Sequence, residues 1–393
     1  MTFRTLDEIG DVRGKRILVR EDLNVPMAGD DVTDVARFEA TVPTVTELAD
    51  AGAVVLILAH FGRPVVPSAD LSLSRIVAAY AGVLGRPVTF IDWENDVASV
   101  AALLPGDIAL LENTRFFAGE ETNDRAVVAR FAAIGDIYVN DAFSAAHRAH
   151  ASTEGIAHAL PSFAGRAMEA ELDALEKALG APVHPVAAVV GGAKVSTKLA
   201  VLRHLVAKVD HLIIGGGMAN TFLAARGVDV GKSLCEHDLI DTANDIFEAA
   251  DAVGCTIHLP YDVVTSREFR SNPPVRTVNV HEVAADEMIL DIGPAATEAL
   301  ADVLKNCRTL VWNGPLGAFE TPPFETATVA LARTAAALTR DGSLVSVAGG
   351  GDTVAALNQA GCAGDFTYVS TAGGAFLEWM EGRELPGVAA LTR

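Results

Sequence analysis

Short apolar runs rich in β-branched residues recur along this chain with helical stretches between them, and that alternation constrains the fold more than any other feature. The first series is KRILVR (15–20), AVVLILA (53–59), PVTFI (87–91), DIALLE (107–112) and DIYVN (136–140). The second is PVAAVV (185–190), DHLIIG (210–215), CTIHLP (255–260), RTLVWNG (308–314), SLVSVAG (343–349) and FTYVS (366–370). Continuously apolar strands must be buried on both faces, which is the condition of a parallel sheet covered by helices. The pattern predicts an α/β protein with two doubly wound, Rossmann-like parallel-sheet domains. A length of 393 residues, half of them hydrophobic, exceeds one ordinary core and agrees with that division.

Between the two series lies GRAMEAELDALEKALG (165–180). Met168, Leu172, Leu175 and Leu179 fall at spacings of four, three and four, one stripe of a helix, and Gly180 followed by Pro182 ends it. A connecting hinge helix is expected here, between a first domain at 1–164 and a second at 181–382. The tail, 383–393, carries apolar residues that a free tail does not need, so it is expected to dock on the first domain.

Charge excludes whole classes of partner. With 51 acidic against 30 basic side chains the formal net charge is −21, a field that repels nucleic acid and anionic lipid. The four cysteines form no C-x-x-C pair, which fits reduced thiols rather than a disulfide framework or zinc site. MTFRTLDEIGDVRGKR has no apolar signal region, and the longest apolar run, AGAVVLILA (51–59), is too short to span a bilayer. A cytoplasmic protein is expected.

Any anion site must therefore be local. Ligands of open α/β sheets bind at the carboxyl ends of the strands, so the loops there are the place to look. In the first half these loops carry Asp22 and Asn24, then Arg37, then His60 and Arg63, then Arg115, and finally His147, Arg148 and His150 in DAFSAAHRAHAST. Guanidinium forks arriving separately at one edge suit a small, multiply charged anion. Arg148 is expected to touch it, with His147 and His150 behind. A metal is not expected at the histidine pair, which lacks a third ligand and has a cation beside it.

In the second half the signal is glycine. GGAKVSTKLAVL, GGGMANTF (215–222) and GGGDTVAAL (349–357) each follow a strand, where backbone amides and a helix N-terminus can receive phosphate. Lys194 and Lys198, four apart, are expected on one face of the first helical turns. Two common loops are absent. GVDVGKS (227–233) has three residues where a Walker A loop needs four, and Asn220 and Val354 occupy the last glycine position of G-x-G-x-x-G. Asp352 is placed either to meet Mg²⁺ beside phosphates or to cap a helix that Thr353 begins.

The stretches REDLNVP, AHFGRP, LLENTRF, DAFSAAHRAHAS, VVGGAKVSTK, IIGGGMANTF, DIGP, VWNGPLGAFE, GGGDT and STAGGAFLE, in this order, closely resemble the phosphoglycerate kinase family along essentially the whole chain. The resemblance implies that Asp22, Asn24, Arg37, His60, Arg63, Arg115 and Arg148 bind 3-phosphoglycerate or its 1,3-bisphospho form. It implies that Lys194, Lys198, Gly217, Asn313, Glu320, Gly350, Gly351, Asp352 and Thr353 serve ADP or ATP, with Asp352 on Mg²⁺. Arg37, Lys194, Lys198 and the amides near Gly351 and Gly374 would then stabilise a transferring phosphoryl group, in a monomer. Gly373 and Gly374 match the helix N-terminus facing that group. The chain departs from the family pattern at Glu21, at Ser144-Ala145 and at Ala372. Two other readings remain open at this point. A two-lobed small-anion solute-binding protein would need neither the lysine pair nor Asp352, and a nicotinamide-dependent dehydrogenase would need the missing fingerprint.

Overall fold

Ile17, Leu18 and Val19 are wholly buried and point alternately into two different apolar clusters. That places the first sheet between two helical layers. The computed structural model describes residues 3–94 and 96–392, and it divides into two units, Met1–Leu172 with Glu384–Arg393, and Asp173–Arg383.

The first unit contains β1 (Arg16–Arg20), a hairpin of β2 (Met27–Ala28) and β3 (Asp31–Val32), β4 (Val54–Leu58), β5 (Thr89–Ile91), β6 (Ile108–Leu111), β7 (Ile137–Asn140) and β8 (Ser162–Ala164). Six of these form one sheet in the order β5-β6-β4-β1-β7-β8, with every pairing parallel. Val55, Ile57, Leu110 and Val139 join Ile17 and Val19 in one core; Leu56, Leu58, Leu111 and Tyr138 join Leu18 in the other. Each such side chain contributes about 1.5–3 kcal/mol on burial.

The second unit contains β9 (Val186–Val190), β10 (His211–Ile214), β11 (Thr256–His258), β12 (Asp262–Ser266), β13 (Arg276–Asn279), β14 (Met288–Ile292), β15 (Thr309–Asn313), β16 (Val345–Gly349) and β17 (Tyr368–Ser370). Its main sheet is parallel in the order β11-β10-β9-β15-β16-β17, so the strand order reverses direction between β9 and β15. The unit also holds a separate antiparallel sheet in the order β13-β12-β14.

Every expected apolar run contains a strand of a parallel sheet. The hairpin, the three-residue β8 and the antiparallel sheet were not expected. Their residues lack the continuous apolar run: β13, for instance, buries only Val278. Such strands owe their conformation to the neighbours they pair with.

The helix Arg166–Leu175 passes into a π-helical turn, Glu176–Gly180, and the division between the units falls within it. Met168, Leu175 and Leu179 are buried, as their stripe requires. Its first turn is tied down inside the first unit. The Met168 N–H donates to Asp141 at 2.9 Å and the Arg166 N–H to Thr44 at 2.7 Å, while the Arg166 guanidinium pairs with Glu47, Asp7 and Glu169.

The chain's last segment lies in the first unit. Leu385, Val388 and Leu391 are buried, the Gly387 N–H donates to the Ala146 carbonyl at 2.8 Å, and Asn140 donates to the Gly387 carbonyl. Leu391→Ala should therefore destabilise that unit by about 2–3 kcal/mol through the cavity it leaves. The check is the urea midpoint for exchange protection of β1 and β7 amides; an unchanged midpoint would mean that the tail adds nothing to this core.

Candidate active site

In the first unit β1 ends beside β4 and β7, so Asp22, His60 and Ser144 emerge as neighbours. Asp22 accepts from the Arg37 guanidinium at 2.6 Å, from the Asn24 N–H at 3.1 Å and from the Ser144 hydroxyl. Burial raises its pKa, but the Arg37 guanidinium, the Ser144 hydroxyl and the Asn24 amide hold the carboxyl below its ordinary value. Asn24 in turn accepts from the Gly62 N–H at 2.8 Å, and Arg115 donates to the Gly62 carbonyl at 2.6 Å. Arg115 also pairs with Glu121 at 3.3 Å. Arg148 donates to His147 Nε2 at 3.1 Å, which puts the His147 proton on Nδ1 if the ring is neutral.

The structure thus joins Asp22, Asn24, Arg37, His60, Arg115 and Arg148 through contacts or mutual charge. Arg63 is exposed and makes no ion pair to another described residue. His150 is buried, and burial with nearby Arg115 pushes its pKa down to about 4, the behaviour of a structural histidine. Sequence reasoning passed over three partners here: Arg20, Asn113 and Ser144. Asn113 is wholly buried and donates to the Phe61 and Leu71 carbonyls while accepting from the Phe61 and Arg115 amides, holding the His60 loop to the Arg115 loop.

In the second unit the loops after β9 and β15 approach so closely that a Cβ at Gly191 would overlap the Pro315 carbonyl oxygen. Only glycine fits. Lys198 bridges the same two loops, donating to the Gly191 carbonyl at 2.6 Å, the Asn313 carbonyl at 3.0 Å and the Asn313 side-chain oxygen. Burial lowers its pKa to about 8, against the pull of Asp352. Asn313 also donates to the Gly349 carbonyl at 2.7 Å, and Thr353 accepts from the Gly314 N–H at 2.7 Å. These two side chains hold the loops together.

The expected placement of Lys194 and Lys198 on one helix face is not what forms. Lys194 is extended (φ −138°, ψ 135°), a 3₁₀ turn spans Val195–Thr197, and the α-helix starts at Leu199. The ring of carbonyls around Lys198 draws that ammonium inward, while Lys194 stays exposed near Glu236. Asp352 is not a helix cap either. Gly350 takes that position at φ +98° with no side-chain bond, and Asp352 lies exposed in the first turn of Gly351–Ala360. The N-terminus of Gly373–Met380 likewise has no side-chain cap, and Ala372 there has φ −91°, a conformation that asks for no glycine.

A cavity of about 510 Å³ opens beside these loops. Gly216, Gly217, Leu234, Phe269, Leu316 and Phe319 form an apolar slot; Gly192, Ala193, Asp352 and Glu320 line it too. Its size and apolar slot suit a flat, largely apolar ring system. Asp291 also lines it, and burial together with Glu325 raises that carboxyl to about 8 despite two backbone N–H donors. A neutral Asp291 adds no repulsion toward phosphate. Among the described residues no three His, Cys, Asp or Glu side chains are grouped to hold a metal. Asp352, an exposed carboxylate in the first turn of Gly351–Ala360 that lines this cavity, fits Mg²⁺, which takes few protein ligands and relies on phosphate oxygens.

The family model described as phosphoglycerate kinase matches residues 6–383. The chain belongs to the phosphoglycerate kinase family. The phosphoglycerate kinase of Novosphingobium aromaticivorans is 75% identical over 393 residues, 100% of each chain, and that of Zymomonas mobilis is 72% identical over 395 aligned positions, again 100% of each. Among solved structures, phosphoglycerate kinase from Coxiella burnetii matches with a TM-score of 0.94 at 40% identity, covering 100% of this chain and 99% of its own. The enzyme from Pyrococcus horikoshii matches at 0.81 and 31%, covering 99% and 98%. These matches support neither a solute-binding protein nor a nicotinamide-dependent dehydrogenase.

Of the departures from the family pattern, Ser144 supplies a hydroxyl to Asp22, and Glu21 is buried with its pKa driven well above the carboxylate range by burial and by Asp141. Gly191→Ala should displace the Pro315 loop at a cost on the order of 1–3 kcal/mol from overpacking and weaken nucleotide binding more than binding of a phosphorylated acid. Calorimetric titration of both ligands tests this, and equal losses would contradict it.

Proposed function

We propose that the chain catalyses reversible phosphoryl transfer between 1,3-bisphosphoglycerate and ADP, giving 3-phosphoglycerate and ATP, the phosphoglycerate kinase step of glycolysis and gluconeogenesis. The observation that carries this is the pairing, in one member of that family, of an arginine-lined loop cluster in the first unit with a glycine cradle and apolar cavity in the second. Asp22, Asn24, Arg37, His60, Arg63, Arg115 and Arg148 bind the three-carbon acid. Lys194, Lys198, Gly217, Asn313, Glu320, Gly350, Gly351, Asp352 and Thr353 bind or frame the nucleotide. A cytoplasmic monomer is the state proposed.

The nucleophile toward ATP is a carboxylate, ionised at neutral pH, so no general base is required. Catalysis is then positioning and charge stabilisation. Arg37, Lys194, Lys198 and the amides at Gly351 and Gly374 hold the negative oxygens of the transferring group. Asp352 would hold Mg²⁺, which when bound neutralises phosphate charge. In-line transfer needs donor and acceptor within about 3–3.5 Å, so the two units close on each other; of the two glycines at the ends of the connecting helix, Gly165 is tied into the first unit, which leaves the bend toward Gly180.

Incubation with MgATP and 3-phosphoglycerate should yield ADP; no turnover of that pair would end the proposal. Arg37→Ala should lower kcat by roughly 10- to 100-fold, the loss of one charged hydrogen bond, with nucleotide affinity kept. An unchanged kcat would remove Arg37 from the mechanism.

Lys198 supplies a pH signature. Its pKa is depressed to about 8 in the free protein, and phosphates favour its charged form. Nucleotide affinity should therefore be flat below about pH 8 and weaken above it, where binding must take up a proton. Lys198→Arg, charged throughout this range, should remove the dependence. A wild-type affinity unchanged to about pH 9.5 would contradict the assignment.

A further inference from the structure

We propose that Arg20 is a positioning residue that fixes His60 as a neutral imidazole with its proton on Nε2, so that the ring serves the acid substrate as an aimed hydrogen-bond donor. Arg20 closes β1 and is 1% exposed. Its Nη2 lies 2.9 Å from His60 Nδ1. A guanidinium has donors and no acceptor, so Nδ1 must present its lone pair. An imidazolium would set N–H against N–H. The remaining proton of the neutral ring is then on Nε2, which bonds to no other described residue.

Arg20 cannot turn away from this task. Its Nε donates to the Ser152 hydroxyl at 3.0 Å and its Nη1 to the Glu21 carbonyl. Ser152, itself wholly buried, donates its hydroxyl and its N–H to the two oxygens of buried Glu120. The charged groups acting on the His60 ring come from every neighbouring loop: Arg20 on β1, Asp22 after it, Arg115 after β6 and Arg148 after β7. Only Asp22 favours a charged ring, and it is already engaged by Arg37, Asn24 and Ser144. Burial and the three arginines accordingly depress the His60 pKa well below its ordinary value. Recognition of the anion through His60 then needs no added proton and does not fade as pH rises through the usual histidine range.

The inference rests on the proposed placement of the acid in the first unit, and the test separates the two. The full chain is labelled with ¹⁵N-histidine, and the His60 signals are assigned by their loss in His60→Gln. The expected spectrum is a single Nε2–H tautomer from about pH 5.5 to 8, with Nε2 and not Nδ1 shifting when 3-phosphoglycerate is added. An Nδ1–H tautomer, or titration near the ordinary pKa of about 6.5, would overturn the role of Arg20 and leave the acid placement standing. The expected tautomer with neither nitrogen moved by 3-phosphoglycerate would overturn the placement instead, and with it the donor role. Arg20→Met should let His60 titrate and raise KM for the acid about tenfold, with KM for the nucleotide unchanged. Ser152→Ala, a smaller change, should act in the same direction with a smaller effect; no change of tautomer or KM in either variant would reject the positioning role.

Discussion

The parallel register of the two sheets is the constraint on which both sites depend. Arg20 at the end of β1 stands opposite Leu58 on one side and Asn140 on the other, so the loops carrying Asp22, His60 and Ser144 start side by side. Val190 at the end of β9 stands opposite Ile214 and Asn313, so Gly191, Gly215 and Gly314 do the same. An antiparallel sheet would send every second loop to the far edge. Each unit then adds a cation, the buried Arg20 or the half-buried Lys198, whose hydrogen bonds tie neighbouring strand ends together.

In a chain of net charge −21, the charge of several acids near the candidate sites is offset. Some are paired, as Asp22 is with Arg37. Burial pushes others toward the neutral form: it raises Asp141 to about 6 and Asp291 to about 8, and drives Glu21 well above the ordinary range. The local field among the loops of the first unit is therefore weighted toward its arginines.

The parallel strands were legible because burial on both faces writes a continuous apolar run, as in VVLIL of β4. The arginine loops and glycine turns were legible as residue types at strand ends. What the pattern could not convey is which side chains answer one another across the fold. The bond from Arg20 to His60 joins residues 40 apart, and that from Lys198 to Asn313 residues 115 apart. Lys194 and Lys198 show the limit of spacing arguments: four residues apart suggested one helix face, but three acceptors around one ammonium outweighed helical propensity there. Asp352 was ambiguous between cap and ligand until Gly350 was seen to occupy the cap.

The central claim is that acid and nucleotide are held by different units of one chain. Hydrogen exchange of the full protein, measured with 3-phosphoglycerate alone and with MgADP alone, tests it most directly. The acid should protect amides around 22–25, 60–63, 113–116 and 144–150, and the nucleotide those around 191–198, 215–220, 313–320 and 349–353. Protection of the first set by MgADP alone, or of the second by the acid alone, would contradict the account.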